Sequence, residues 1–268
     1  MQKDDKNDLG WEVSRTVLGR PISNDVAALL DTLEQEYGCD ITFSDLENSD
    51  IYKGGCCTVH LDGTPSIAIN MQHPFWEDVI VHELHHLRLR KLLYPFFSLK
   101  NDVGSDLKKS DLELLRQLFF ELYEPVLHYV FNPDIRAMGR EPAVVFNPMF
   151  KQNLKLGEIE KNTLEMAWPL VYLRILLECS ESDVQEQLQE RCESLGWTEA
   201  MKTAKRIVCE FKSLEMTTPE KAVDVLIRSA NIAFEQVYSF SVIEWVDVSK
   251  GPQLETKVRI SVSLPEND

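Results

Sequence analysis

Val81-His82-Glu83-Leu84-His85-His86 is the stretch on which the reading of this chain turns. It has the form H-E-x-x-H and sits inside a segment, His73 to Leu93, whose pattern predicts one helix. Residues four apart on a helix share a face, so His82 and His86 can place two imidazole nitrogens on one zinc ion. Glu83, one residue round from that face, can reach a water at the metal and act as general base. The plain alternative is a surface helix that happens to carry two histidines and a glutamate. The flanking Val79, Ile80, Leu84, Leu87 and Leu92 argue against it, because so apolar a helix is expected to be buried. Pro74 suits its first turn, and Tyr94-Pro95 ends it. His85 points away from the His82/His86 stripe and reads as a packing or hydrogen-bonding side chain. His73 reads as a cap or surface residue.

Working backwards, Ile67 to Asn70 predicts a short strand feeding the motif helix, placed where an extended peptide can pair beside the metal. Cys56 to Leu61, the Asp62-Gly63 turn and Ser66 to Asn70 form a β-hairpin pattern. Asp40 to Leu46 reads as a strand and Asn48 to Gly55 as a loop. Asp25 to Tyr37 reads as a helix capped by Ser23 or Asn24 and ended by Gly38.

Catalytic zinc usually takes three protein ligands and leaves a position open. Working forwards, Ser110 to Phe131 predicts a second long helix, opened by a capping box of Ser110 and Glu113. It is apolar almost all round, with Leu112, Leu115, Phe119, Leu122, Val126 and Val130 on one side and Phe120, Tyr123 and Leu127 on another. Its narrow polar stripe is Gln117, Glu121, Glu124 and His128. That stripe faces either solvent or the metal, and a missing third ligand favours the metal. Glu124 or His128 then completes the site and the other supports it, with Glu121 a third candidate. Whichever of His128 and Tyr129 does not ligate, or Tyr123, is a candidate donor to a developing oxyanion.

These residues resemble the zincin peptidases. Within that group, Ser66-Ile67-Ala68-Ile69-Asn70 followed by Val81-His82-Glu83-Leu84-His85-His86 looks like the ImmA/IrrE group, small intracellular bacterial metallopeptidases that cleave regulatory proteins. The resemblance covers about residues 40 to 140. It implies zinc on His82 and His86, Glu83 as the catalytic glutamate, and a regulatory protein as substrate or partner. The chain departs from the family pattern in its bulky second helix and in the long insertion from Lys91 to Lys109.

Past Gly157 the pattern is mostly helical: Ile159 to Cys179 with a kink at Pro169, Ser182 to Leu195, Glu199 to Leu214 behind Thr198, and Pro219 to Phe234 behind Thr218. Val237 to Val248 and Lys257 to Leu264 then alternate as two strands about a Lys250-Gly251-Pro252 turn. The fold class expected is α+β. A small sheet, the motif helix and a second long helix fill residues 1–150, and a helical region ending in a β-hairpin fills 151–268.

A formal charge of −16 over 268 residues disfavours nucleic-acid backbones and anionic membrane surfaces. Met1 to Asp8 is polar and reads as frayed, with no secretory h-region, and no stretch has transmembrane length. Six cysteines without an export signal point to reduced thiols in a cytoplasm. Of the adjacent Cys56 and Cys57, one is expected in the core and one outside. The expected function is a cytoplasmic zinc metallopeptidase acting on a protein or peptide substrate. The alternative is a non-catalytic partner-binding protein on the same scaffold with a structural zinc, and the fourth coordination position discriminates the two.

Overall fold

The computed structural model describes residues 15–46, 54–101, 108–157, 164–213, 218–235, 237–250 and 253–264. The expected fraying at 1–8, most of the Asn48 to Gly55 loop, the Gly251-Pro252 turn and the start of the Ile159 helix lie outside these residues.

A two-strand ribbon, β1 (Thr16–Val17) with β2 (Arg20–Pro21), leads into helix α1 (Asn24–Tyr37). Val26, Leu30 and Leu33 recur on one face and are buried. Gly38 takes φ +74° and stops the helix, a conformation that costs glycine little. Ser23 holds the N-cap position, but its hydroxyl is spent on Glu77 and Arg140 and not on its own helix.

Strands β3 (Thr42–Asp45), β4 (Gly55–Val59) and β5 (Pro65–Ile69) form a sheet in the order β3-β5-β4. β4 and β5 make the expected antiparallel hairpin, and β3 runs parallel to β5. The turn is held by Asp62, whose carboxylate accepts from the amide and hydroxyl of Thr64. Pro65, Ile67 and Ile69 alternate as buried positions on β5, towards the motif helix.

That helix, α2, runs Trp76–Lys91. It starts two residues later than Pro74, because His73 and Asn70 shape a turn first: Nδ1 of His73 accepts from the Phe75 amide and Oδ1 of Asn70 from the Gln72 amide. His73 is therefore a buried turn-former and not a surface residue. Beyond Lys91, Leu93 adopts φ +61° and the chain reverses ahead of Pro95.

Strand β6 (Phe96–Asn101) follows, inside the long Lys91 to Lys109 insertion, where the sequence reading named no element. Helix α3 is longer than expected, Lys109–Ala137, and contains both Pro125 and Pro133. Each proline withholds one amide, yet burial of Val126, Phe131 and Ile135 carries the helix through. The capping box does not form: Lys108 occupies the N-cap position and the Ser110 hydroxyl donates to Asp111.

A short 3-10 turn, Pro142–Val145, precedes α4 (Asn147–Leu156), which the periodicity did not announce. Then come α5 (Trp168–Glu178), α6 (Ser182–Ser194), α7 (Thr198–Ser213) and α8 (Pro219–Ala233). Pro169 sits in the first turn of α5 and opens that helix, where the sequence pattern suggested a kink. Thr218 caps α8 as expected, its hydroxyl accepting from the Lys221 amide.

Strands β7 (Ser239–Lys250) and β8 (Gln253–Ser263) close the chain as a hairpin. β8 also pairs in parallel with β6, giving the order β6-β8-β7. The end of the chain is thereby stitched to the segment just after the motif helix. The architecture is α+β, and among the described residues no helix is long and apolar enough to cross a membrane.

Candidate metal centre

On α2 the four-residue spacing does what the sequence predicts. His82 and His86 stand on one face, with their Nε2 atoms 3.1 Å apart. His128 of α3 meets them, its ring centroid 4.7 Å from that of His82 and 5.3 Å from that of His86. One ring nitrogen from each of the three lies within 4.8 Å of the others. Phe131 and Phe146 back the cluster, with centroids 5.2 and 5.4 Å from His82. These rings exclude water from behind and leave the imidazoles little freedom to rotate away.

The donor set fits a metal ion. Burial holds the pKa of His82 well below its usual value and that of His86 down at about 3, so both rings are neutral and carry a free lone pair. Two imidazoles coordinated at ~2.0–2.1 Å in a tetrahedron would have nitrogens about 3.3 Å apart, close to the separation seen. His128 Nε2 is buried without a hydrogen-bond partner. Its other nitrogen, Nδ1, donates to Glu178 at 2.7 Å. That bond fixes which nitrogen faces the cluster.

Glu124 lies beside the triad. Its carboxylate is 3.7 Å from His86 Nε2 and 3.4 Å from His128 Nε2, out of line for hydrogen bonding. Burial works to raise its pKa, but the neighbouring His128 and His86 hold it down, at about 2. The same carboxylates act on His128: burial opposes its charging, and Glu124 and Glu178 nevertheless hold its pKa up at about 9. Glu121 is drawn away to Arg174, 3.2 Å from the guanidinium, and is not at the cluster.

Glu83 is 6 % exposed and lines the same cleft. Burial pushes its carboxyl up to about 7, and the charge of Glu124 adds to the effect. It rests against β4. A Cβ added to Gly55 would sit 3.2 Å from Glu83 Cγ and 2.8 Å from Val79 Cγ1, so only glycine lets the strand come this close. The Cys57 thiol hydrogen-bonds the carboxylate, and burial keeps that thiol protonated. Cys57 thus lies beside Glu83 at the cleft, which the more exposed Cys56 also lines.

Other candidates are placed elsewhere. His85 stacks on Phe131 at 21° between planes, as packing predicts. The Tyr123 hydroxyl donates to the Pro95 carbonyl at 2.9 Å, and Tyr129 packs edge-on against Phe211. Neither is among the described residues that line the cleft. The cleft, about 450 Å³, carries two cations instead, Arg90 and Arg174.

Arg174 and Glu178 escaped the sequence reading. They form an i,i+4 pair on α5, with Nε of Arg174 2.7 Å from Glu178 Oε2. Glu178 is 2 % exposed, and its carboxyl is lowered against the effect of burial by Arg174 and His128. A buried carboxylate in an apolar helix was the only available signal, and it did not say which histidine it would meet.

The sequence matches no protein-family model, and comparison with curated proteins and with solved structures returned no match.

Proposed function

We propose that this protein is a zinc-dependent metallopeptidase of the zincin kind, hydrolysing a peptide bond in a protein or peptide substrate. The reading is carried by one observation: His82, His86 and His128 converge in a cleft that Glu83 also lines. When bound, zinc would supply Lewis acidity to polarise a carbonyl and acidify the attacking water. Glu83 takes a proton from that water and passes it to the leaving amine. A carboxyl poised near neutrality does both better than one fixed in either state. Glu178 holds His128 by Nδ1, and Arg174 holds Glu178. Glu124 stays ionised and adds negative charge that favours a cation among the three imidazoles. The cysteines lie scattered through the fold, Cys179 and Cys192 buried among them, and this supports a reducing, cytoplasmic setting.

The test is metal content and proteolysis of an unfolded protein substrate by the zinc-loaded chain. About one zinc per chain and cleavage abolished by Glu83→Gln are expected. Stoichiometric zinc without cleavage of any unfolded substrate would overturn the peptidase reading. One contact favours a second reading: Glu124 is close enough to the triad to be a fourth donor, as in a structural site. Such a closed site would leave no position for substrate, and the protein would then be a partner-binding scaffold. Tight binding of a small hydroxamate to the zinc-loaded protein separates the two, since a closed site refuses it.

A further inference from the structure

The cleft does not end at the triad. A second cavity, about 370 Å³, adjoins it and shares Met149 and Arg174 as lining. Its walls are largely apolar, with Leu114 and Leu118 from α3, Phe150 from α4 and Val171 from α5. The polar stripe of α3 joins the two spaces. Gln117 and Glu121 line the second cavity, while Glu124 and His128 line the first. One helix face therefore runs as a continuous track from an apolar groove to the three histidines. Glu121 is occupied by Arg174, so the aliphatic walls are the main surface on offer.

We infer that this groove docks an apolar side chain of an extended polypeptide whose bond is cut at the triad, a proposal that rests on the peptidase reading. Adjacency to the cleft selects this occupant, because the two spaces meet at the shared Met149 and Arg174 and are lined by one face of α3. The distance sets the register. The middle of the Leu114 to Glu121 segment is about ten residues from His128 along α3, or ~16 Å at ~1.5 Å per residue. An extended chain covers that in about five residues at ~3.3 Å each. The substrate class is thus a polypeptide segment with a Leu-, Met- or Phe-like anchor about five residues from the scissile bond. A dipeptide would fill the cleft alone.

The experiment uses the full chain carrying Glu83→Gln, loaded with zinc. The probes are Gly/Ser peptides with a hydroxamate cap at one end or the other, which fixes register at the metal. A single Leu is walked outward from the cap. Affinity is expected to rise about tenfold when the Leu is about five residues away, in one of the two series, from burial of one aliphatic side chain. The rise should vanish in Val171→Glu and Leu114→Glu variants that keep the parent's zinc content and melting temperature. A flat scan overturns the proposal. Should those variants unfold, photo-leucine at the favoured position decides: labels on the α3, α4 and α5 walls support it, and labels elsewhere overturn it. Failure of every hydroxamate to bind counts against the peptidase reading instead. Uncapped photo-leucine peptides then test the groove alone, by the same map of labels.

Discussion

Nδ1 of His128 donates to the carboxylate of Glu178 across 2.7 Å, joining two buried side chains 50 residues apart in the chain. The third imidazole of the cluster is thus oriented from α5, outside the motif helix and its partner. His82, by contrast, has no hydrogen-bond partner on its Nδ1 among the described residues. Glu178→Ala is expected to weaken zinc binding by about 10- to 100-fold, because His128 loses the contact that sets its tautomer and angle. Glu178→Gln, which keeps an acceptor, should lose less. A competition titration against a chelator measures both. Equal affinity in wild type and Glu178→Ala would show that the contact does not orient a ligand.

Glu83 lines the cleft but is not one of the three clustered donors. Glu83→Gln should therefore keep its zinc and lose hydrolysis by at least ~10²-fold. Zinc lost together with activity would make Glu83 a ligand. Unchanged cleavage would put the chemistry elsewhere.

Gly55 tests the support behind that glutamate. A methyl group there meets Glu83 Cγ and Val79 Cγ1 inside ordinary contact distance. Gly55→Ala should lower turnover while zinc stoichiometry holds, and cost ~1–3 kcal/mol of stability from overpacking. Thermal melting and turnover measured together check this. Wild-type values for both would mean that β4 shifts freely and does not fix the base.

Much of this site was readable in the sequence because its parts are local. The spacing of His82 and His86, the hairpin about Asp62-Gly63 and the polar stripe on α3 are each set within one element, where periodicity fixes which residues share a face. What failed was of two kinds. Strand β6 depends on β8, more than 150 residues later, and Phe96 to Asn101 carries no alternation strong enough to announce it. Glu178 and Arg174 acquire their meaning only from a partner on another helix. The Tyr123 and Tyr129 assignments failed because α3 is apolar nearly all round, so periodicity could not say which aromatic turns to the cleft. The Ser110 box failed because its hydroxyl turns to Asp111 and Glu113 pairs with Arg116, and the helix outran Phe131 because Ile135, a turn further on, is also buried.

Zinc affinity should rise with pH. In the metal-free protein the pKa of His128 is raised from 6.5 to about 9, burial being outweighed by Glu124 and Glu178. A raised pKa means that the charged ring stabilises the fold fully below pH 6.5, and that this is lost as pH rises through about 9. Zinc must replace a proton on the same ring, so binding releases that proton and strengthens across the same window. Chelator competition at several pH values between these limits should show the dissociation constant falling as pH rises. In Glu178→Gln the slope should flatten. A slope that is absent in wild type would mean that His128 does not exchange a proton for the metal.

Two residues of the α3 stripe stand close enough to His82 and His86 to hold the proposed ion. His128 joins His82 and His86 within 4.8 Å, while Glu124 stands 3.4 Å from His128 and 3.7 Å from His86. The imidazole nitrogen has no competing hydrogen bond, whereas the carboxylate touches two rings at once. His128 is therefore expected to be the ligand and Glu124 to act on it through charge. His128→Ala, which removes a ligand, should cost more zinc affinity than the ~10- to 100-fold typical of a supporting residue, and Glu124→Gln about tenfold or less. The double variant should fall short of the sum, because both changes act on one ion and Glu124 does part of its work through His128. Zinc titrations of the four proteins in this cycle decide it. A larger loss in Glu124→Gln than in His128→Ala would exchange the two roles, and strict additivity would mean that Glu124 acts independently of His128.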